Sequence, residues 1–185
     1  MAAQSKSRSK QKKELHKLAV ARSDVFSAQK TCRLILERVN GLADELYAPL
    51  FYAVVVSYGR PFVDNKSTGA LSRHWSDFSD HRLRATHNKL LKTRHELVAH
   101  SDSIVRAVHI IPPGSRINLE LPPSDTVALK IESYYYPQQM FIDTFDTCAN
   151  LIGRLNSRID MLLSSLYDKK DLPDGLIPLT FDDGL

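Results

Sequence analysis

"FIDTFDTCANLIGRLNSRIDMLLSSL" (141–166) decides how the rest of the chain is read. Phe141, Phe145, Cys148, Ile152, Leu155, Ile159, Leu162 and Leu166 recur at alternating intervals of four and three. At about 100° per residue this spacing keeps all eight on one side of an α-helix. A stripe that long and that apolar must be covered, and the 4-3 rhythm is a seam for packing against other helices. The chain therefore has to supply partner helices of comparable length.

Working outward, residues 12–40 supply one. Leu18, Val25, Cys32 and Val39 repeat every seven residues, and Ala21, Ala28, Ile35 and Leu42 form the adjoining row. Together they predict an amphipathic helix that breaks near Gly41. Residues 43–58, around "YAPLFYAVVVSY" (47–58), are apolar nearly all round and predict a central helix, stopped by Gly59 and Pro61 of "GRPF" (59–62). Asp64, Asn65, Ser67, Thr68 and Gly69 predict a loop within 63–79, with a turn of helix at "LSRHWSDF" (71–78). A third helix spans about 80–100. The texture then changes at "RAVHIIPPGSRINLELPPSDTVALKIESYYY" (106–136). Two proline pairs separate short runs in which Ile117, Leu119 and Leu121 alternate, as do Val127, Leu129 and Ile131, so two or three short antiparallel strands are expected. The reading is a mainly α protein: a four-helix bundle with a small antiparallel β insertion between helices 3 and 4. The expected organisation is a basic flexible leader (1–12), the bundle (13–167) with its insertion at about 105–134, and an acidic surface tail (168–185).

Length and composition agree with one domain: 185 residues, 43% hydrophobic and 25% charged. The longest apolar run, "PLFYAVVV" (49–56), is too short to cross a bilayer. The basic start runs into "KELHKLAVARSD" (13–24) without an apolar segment, so no secretory leader is expected and the site of action is read as cytoplasmic. The net charge of +4 is concentrated: residues 1–22 hold seven lysines and arginines against Glu14 alone, which leaves the remainder acidic. Such a run can touch nucleic-acid phosphates or simply be solvated. Cys32 and Cys148 fall on apolar stripes and read as reduced core thiols; no CxxC spacing occurs.

Several chemistries lack their motifs. There is no HExxH, no nucleophile elbow and no glycine-rich phosphate loop. Asp77 and His81 stand at i, i+4, but His74, His87, His95 and His100 point around the wheel, so neither a metal nor another cofactor is expected. "YYY" (134–136) could stack nucleobases, although packing at a helix entry explains it more simply.

The third helix, "HRLRATHNKLLKTRHELVAH" (81–100), carries the polar residues that do not belong. With Leu90 at zero, Leu83 and Leu97 fall within about 20° and Leu91 and Val98 near +80° to +100°. His87 lies near +60° and Arg94 near +40°, about two turns apart in the middle of the apolar face. Arginine cannot shed its charge and must be paired if buried. Two readings stand: Arg94 bridges to a carboxylate while His87 is a satisfied core histidine, or the stripe lines a cleft or a dimer interface. His100 follows Arg94 by six residues, about 120° round and about 9 Å along. Local unwinding near "AHSD" (99–102) or a composite site across a two-fold axis would bring the two together.

Arg94, five intervening residues, His100 and then Ser101-Asp102 give "R-x5-H-S-D" at the end of a bundle helix. This ending, with "SYGRPF" (57–62) upstream and the His87-to-Arg94 spacing, resembles the HEPN superfamily, in particular its abortive-infection-like branch, over roughly residues 20–165. One position departs: His95 follows the arginine where many active members carry a small polar residue. The resemblance implies a HEPN-like bundle, a homodimer, and metal-independent cleavage of RNA by a defence or toxin effector. An antitoxin or other regulatory protein would be a further partner. It implies His100 as acid/base and Arg94 as phosphate clamp, chemistry that suits both residue types. His87, His95, Asp102 and Arg60 are supporting candidates, Asp102 either orienting His100 or capping the helix. A non-catalytic module of the same fold, binding a protein or nucleic-acid partner, is the alternative.

Overall fold

The computed structural model describes residues 2–64, 69–99, 108–115, 125–131, 135–168 and 174–181. Four α-helices dominate: α1 (Ala2–Arg38), α2 (Tyr47–Gly59), α3 (His81–Ala99) and α4 (Gln138–Tyr167). Between α3 and α4, β1 (Val108–Ile111) and β2 (Ala128–Ile131) pair antiparallel, with Ile110 opposite Leu129. The second strand is where the alternation placed it. The Ile117–Leu121 run lies outside the described residues, and the partner strand is the preceding "VHII" (108–111).

α1 and α4 form the principal pair. Arg158 grips Glu14 with two hydrogen bonds, at 2.8 and 3.1 Å. Arg22 reaches Asn156, and Arg8 reaches the Leu166 carbonyl. Contacts that pair rising numbers in α1 with falling numbers in α4 make the two helices antiparallel. Leu18, Ala21, Val25, Ala28, Cys32 and Ile35 are buried on α1 against Cys148, Leu151, Leu155, Ile159, Leu162 and Leu166 of α4. On α4, Thr144 and Leu151 are buried more fully than Phe145 and Ile152, which are only half-covered. The 3.6-residue turn carries the buried face off a strict 4-3 seam.

The N-terminal segment differs from the expected flexible leader: residues 2–12 continue α1. They contain no glycine or proline and are rich in Ala, Gln, Lys and Arg, all good helix formers. They also have somewhere to dock. Gln11 bonds Ser165, Lys12 is 1% exposed, and Arg8 donates to a carbonyl in the last turn of α4, where a cation is favoured. At the other end of the chain, Leu179 packs on the core and Phe181 meets the His16 ring edge-on at 5.5 Å, while Leu176 is fully exposed.

α2 is central, as its uniform apolarity requires, with Phe51, Val54, Val55 and Tyr58 buried. α2 ends at Gly59, where the sequence placed its stop. The Gly59 φ of −79° is helical, and the chain tightens into a 3-10 turn at Arg60–Phe62 before becoming extended at Val63. A second 3-10 turn, Arg73–Ser76, buries Trp75. Tyr136 is packing material and not an open stacking platform. It is buried, its N–H donates to Tyr47 at 2.8 Å, and its hydroxyl donates to Thr93 at 2.6 Å. Tyr135 is half-exposed, and Tyr134 lies outside the described residues. Cys32 and Cys148 are free thiols in the core, and burial pushes Cys32 up to about 12. No helix among the described residues is long and apolar enough to cross a membrane.

Candidate functional site

α3 crosses the end of α2, and that crossing sets the site. Gly59 is buried there, and a β-carbon added to it would lie 2.7 Å from Arg94 Cγ and 2.8 Å from Arg94 Cδ. Real side chains do not approach so closely, so the stem of Arg94 occupies the space that glycine leaves. The residue's value is the missing side chain, since its backbone is ordinary helix.

Arg94 is half-buried, yet its Nε is closed off from solvent and has no hydrogen-bond partner. A buried donor left unpaired costs about 1–3 kcal/mol, more when charged. The expected bridge to a carboxylate is therefore not made at Nε. The side chain instead forms part of the wall of a half-open cavity of about 310 Å³ between α1, the Arg60–Phe62 turn and α3. Lys17 and Asp24 face this cavity from α1, and Arg60, Asp64 and Gly69 from the segment after α2. Arg60 Nη1 lies 3.5 Å from Asp24 Oδ1, with the arginine side chain 60% exposed, so the pair is loose. Lys17 Nζ donates to the Ala70 carbonyl at 3.1 Å. The far wall is tied down by Leu71, whose N–H donates to the Pro61 carbonyl at 2.7 Å.

His87 has a different setting. It is 1% exposed, shares a 2.8 Å hydrogen bond with the Tyr58 hydroxyl through Nδ1, and packs against Phe62 and Phe78. Desolvation, aided by the charge of Arg154, lowers it to about 4. At neutral pH it is an uncharged core group and does not line the cavity. Of the two readings of this stripe, His87 has the geometry of the satisfied core histidine and Arg94 that of the cleft residue. His95 lies on the exposed side of α3 and also does not line the cavity. His100 and Asp102 lie outside the described residues. Asp77, one half of the i, i+4 pair with His81, holds Arg84 at 3.3 Å.

The structure thus brings Arg60 to Arg94 and separates His87 and His95 from both. It also adds Lys17, Asp24 and Asp64, which sequence reasoning missed. Lys17 was hidden among the basic residues of the 1–22 run. The signal was its spacing, since Lys17 and Asp24 flank buried Ala21 at helical intervals of four and three. No protein-family model, curated protein or solved structure matches the chain.

Proposed function

We infer that this chain is a HEPN-like, metal-independent endoribonuclease that acts as a dimer, in the manner of a defence or toxin effector. The observation that carries this reading is the buried, unpartnered Nε of Arg94 at the wall of a cavity that also holds Lys17 and Arg60. The guanidinium keeps its charge beside this cavity without a carboxylate partner at Nε, and a phosphodiester entering the cavity complements it in charge. Four helices with a β pair between α3 and α4 support the same reading.

The chemistry follows from the residue types. A neutral His100 takes the proton of a ribose 2′-hydroxyl. The freed 2′-oxygen attacks the adjacent phosphorus, and the bond to the 5′-oxygen breaks as that oxygen takes up a proton. Arg94 stabilises the charge that builds on the non-bridging oxygens. The products are a 2′,3′-cyclic phosphate and a 5′-hydroxyl. A two-fold pairing of α3 helices would supply a second histidine for the leaving group.

Single-stranded RNA incubated with the purified protein in excess chelator tests this. Cleavage to those ends is expected, with loss in His100→Ala and in Arg94→Ala while circular dichroism stays unchanged. A folded protein inert on varied RNAs would replace the nuclease with a non-catalytic binding module.

A further inference from the structure

We propose that the cavity beside Arg94 is a ribonucleotide subsite, in which Arg94, Arg60 and Lys17 hold a phosphate and Asp24 and Asp64 accept hydrogen bonds from ribose hydroxyls. The proposal rests on the nuclease reading for its place in a reaction, but its own evidence is the composition and shape of the cavity.

The volume, about 310 Å³, suits a mononucleotide and exceeds what a lone phosphate needs. Of the described lining residues three are cationic and two are carboxylates. A site built only for an anion gains nothing from two carboxylates, which repel it. A site built only as an ion-pair cluster would pair its charges tightly, and here it does not. The Arg60–Asp24 contact is 3.5 Å, Lys17 spends a bond on a backbone carbonyl, and the Arg94 Nε is unmatched. Donors for a phosphate and acceptors for hydroxyl groups, side by side, match the two polar parts of a nucleotide.

Gly69 spaces the two kinds of group. A β-carbon at this position would stand 3.4 Å from Lys17 Nζ and 3.7 Å from Asp64 Oδ1, so the ammonium and the carboxylate flank the same gap. Its φ of +65° makes glycine the residue that takes this backbone without strain. The apolar rest of the lining, including Pro61, Val63 and Leu71, offers a surface for a base without selecting one. The subsite therefore reads sugar and phosphate, and tells ribose from deoxyribose through the 2′-hydroxyl.

Titration of the full-length protein with uridine 5′-monophosphate, its 2′-deoxy analogue and inorganic phosphate, followed by calorimetry, tests the assignment. The ribonucleotide is expected to bind at least about fivefold tighter than the deoxy form, within the range of one good hydrogen bond. Arg60→Ala and Lys17→Ala should each weaken both nucleotides severalfold. Asp24→Ala and Asp64→Ala, which remove the acceptors, should erase the ribose preference while leaving phosphate binding equal or stronger. Equal affinity for the two nucleotides, or a preference that survives both Ala variants, overturns the proposal. So does the absence of saturable binding. His100→Ala separates this from the nuclease reading: it should lose cleavage and keep nucleotide binding. A chain that binds uridine monophosphate but never cuts RNA keeps the subsite and loses the nuclease. A chain that cuts RNA with an unchanged KM in Arg60→Ala and Lys17→Ala loses the subsite and keeps the nuclease.

Discussion

His87 and Arg94 stand about two turns apart on one face of α3, and the molecule treats them in opposite ways. His87 lies in the core, uncharged, with the Tyr58 hydroxyl as partner and aromatic rings around it. Arg94 lies at the edge of the core, its stem over Gly59 and its Nε unpaired beside a cavity. The difference follows from what each group can give up. An imidazole can release its proton and then needs one hydrogen bond. A guanidinium keeps its charge at any working pH, so it stays at the edge of the core, in the wall of a cavity. The same side of the wheel thus hides a paired core residue and an unpaired one at a cavity wall.

The sharpest test sets the two against each other in one assay. Arg94→Ala should lower RNA cleavage by about 100-fold or more, the scale of losing a transition-state donor, and leave the melting temperature nearly unchanged. His87→Ala should cost about 2–4 kcal/mol of stability by opening a core cavity, while the protein that remains folded cleaves normally. Activity and thermal unfolding measured on both variants decide it. A reversed pattern would exchange the two roles.

Acid should then separate them. His87 is lowered from 6.5 to about 4, so the unfolded chain binds the extra proton first as pH falls. The stability due to keeping His87 neutral is complete above about pH 6.5 and is lost progressively towards pH 4. At about 1.4 kcal/mol per unit this amounts to roughly 3 kcal/mol. Urea unfolding across that window should show the decline, and His87→Phe should flatten it. Arg94→Ala, which removes no group that titrates there, should leave the curve unchanged.

The limits of the sequence are instructive at the same residues. Periodicity placed α1 and α4, because burying one face imposes its spacing on Leu18 to Ile35 and on Phe141 to Leu166, whereas α2 was placed by its all-round apolarity. The pairing of β2 was half-visible in Val127, Leu129 and Ile131, but the identity of its partner depended on long-range pairing that spacing does not encode. Arg94 was legible as a misplaced charge, and Arg60 only as a supporting candidate through the family resemblance. Lys17, Asp24 and Asp64 were not, because a charged residue on a solvated helix face and one lining a cavity look alike until the loop after α2 folds over α1. Gly59 was read as a helix stop and does end α2, but its second role, admitting the Arg94 stem, was hidden, since in sequence a glycine that ends a helix and one that admits another side chain are the same letter.

Gly59 supplies the next test. Gly59→Ala forces a β-carbon into the Arg94 stem and should cost about 2 kcal/mol, in the range of core overpacking, together with much of the cleavage activity. Adding Arg94→Ala removes the obstructing atoms, so the double variant should regain most of that stability and none of the activity. A double-mutant cycle by chemical denaturation should find the two changes coupled by more than about 0.5 kcal/mol. Simple additivity would mean that the close approach is not what glycine is there for.

The smallest expected effect tests the other side of the comparison. Tyr58 is 0% exposed, and burial raises its phenol well above 10, so the hydroxyl stays protonated through the range in which His87 titrates. Its one described hydrogen bond is to His87 Nδ1. Tyr58→Phe keeps the ring, and with it the contacts to Phe62 and His87, and removes only the oxygen. The loss should be about 1 kcal/mol, the scale of a single neutral hydrogen bond, with some further cost for the imidazole nitrogen left without a partner. Cleavage by the folded protein should not change, because neither group touches the cavity. If Tyr58→Phe instead alters kcat or its pH profile while stability holds, His87 communicates with the reacting groups through this bond, and the separation between a structural histidine and a functional arginine no longer stands.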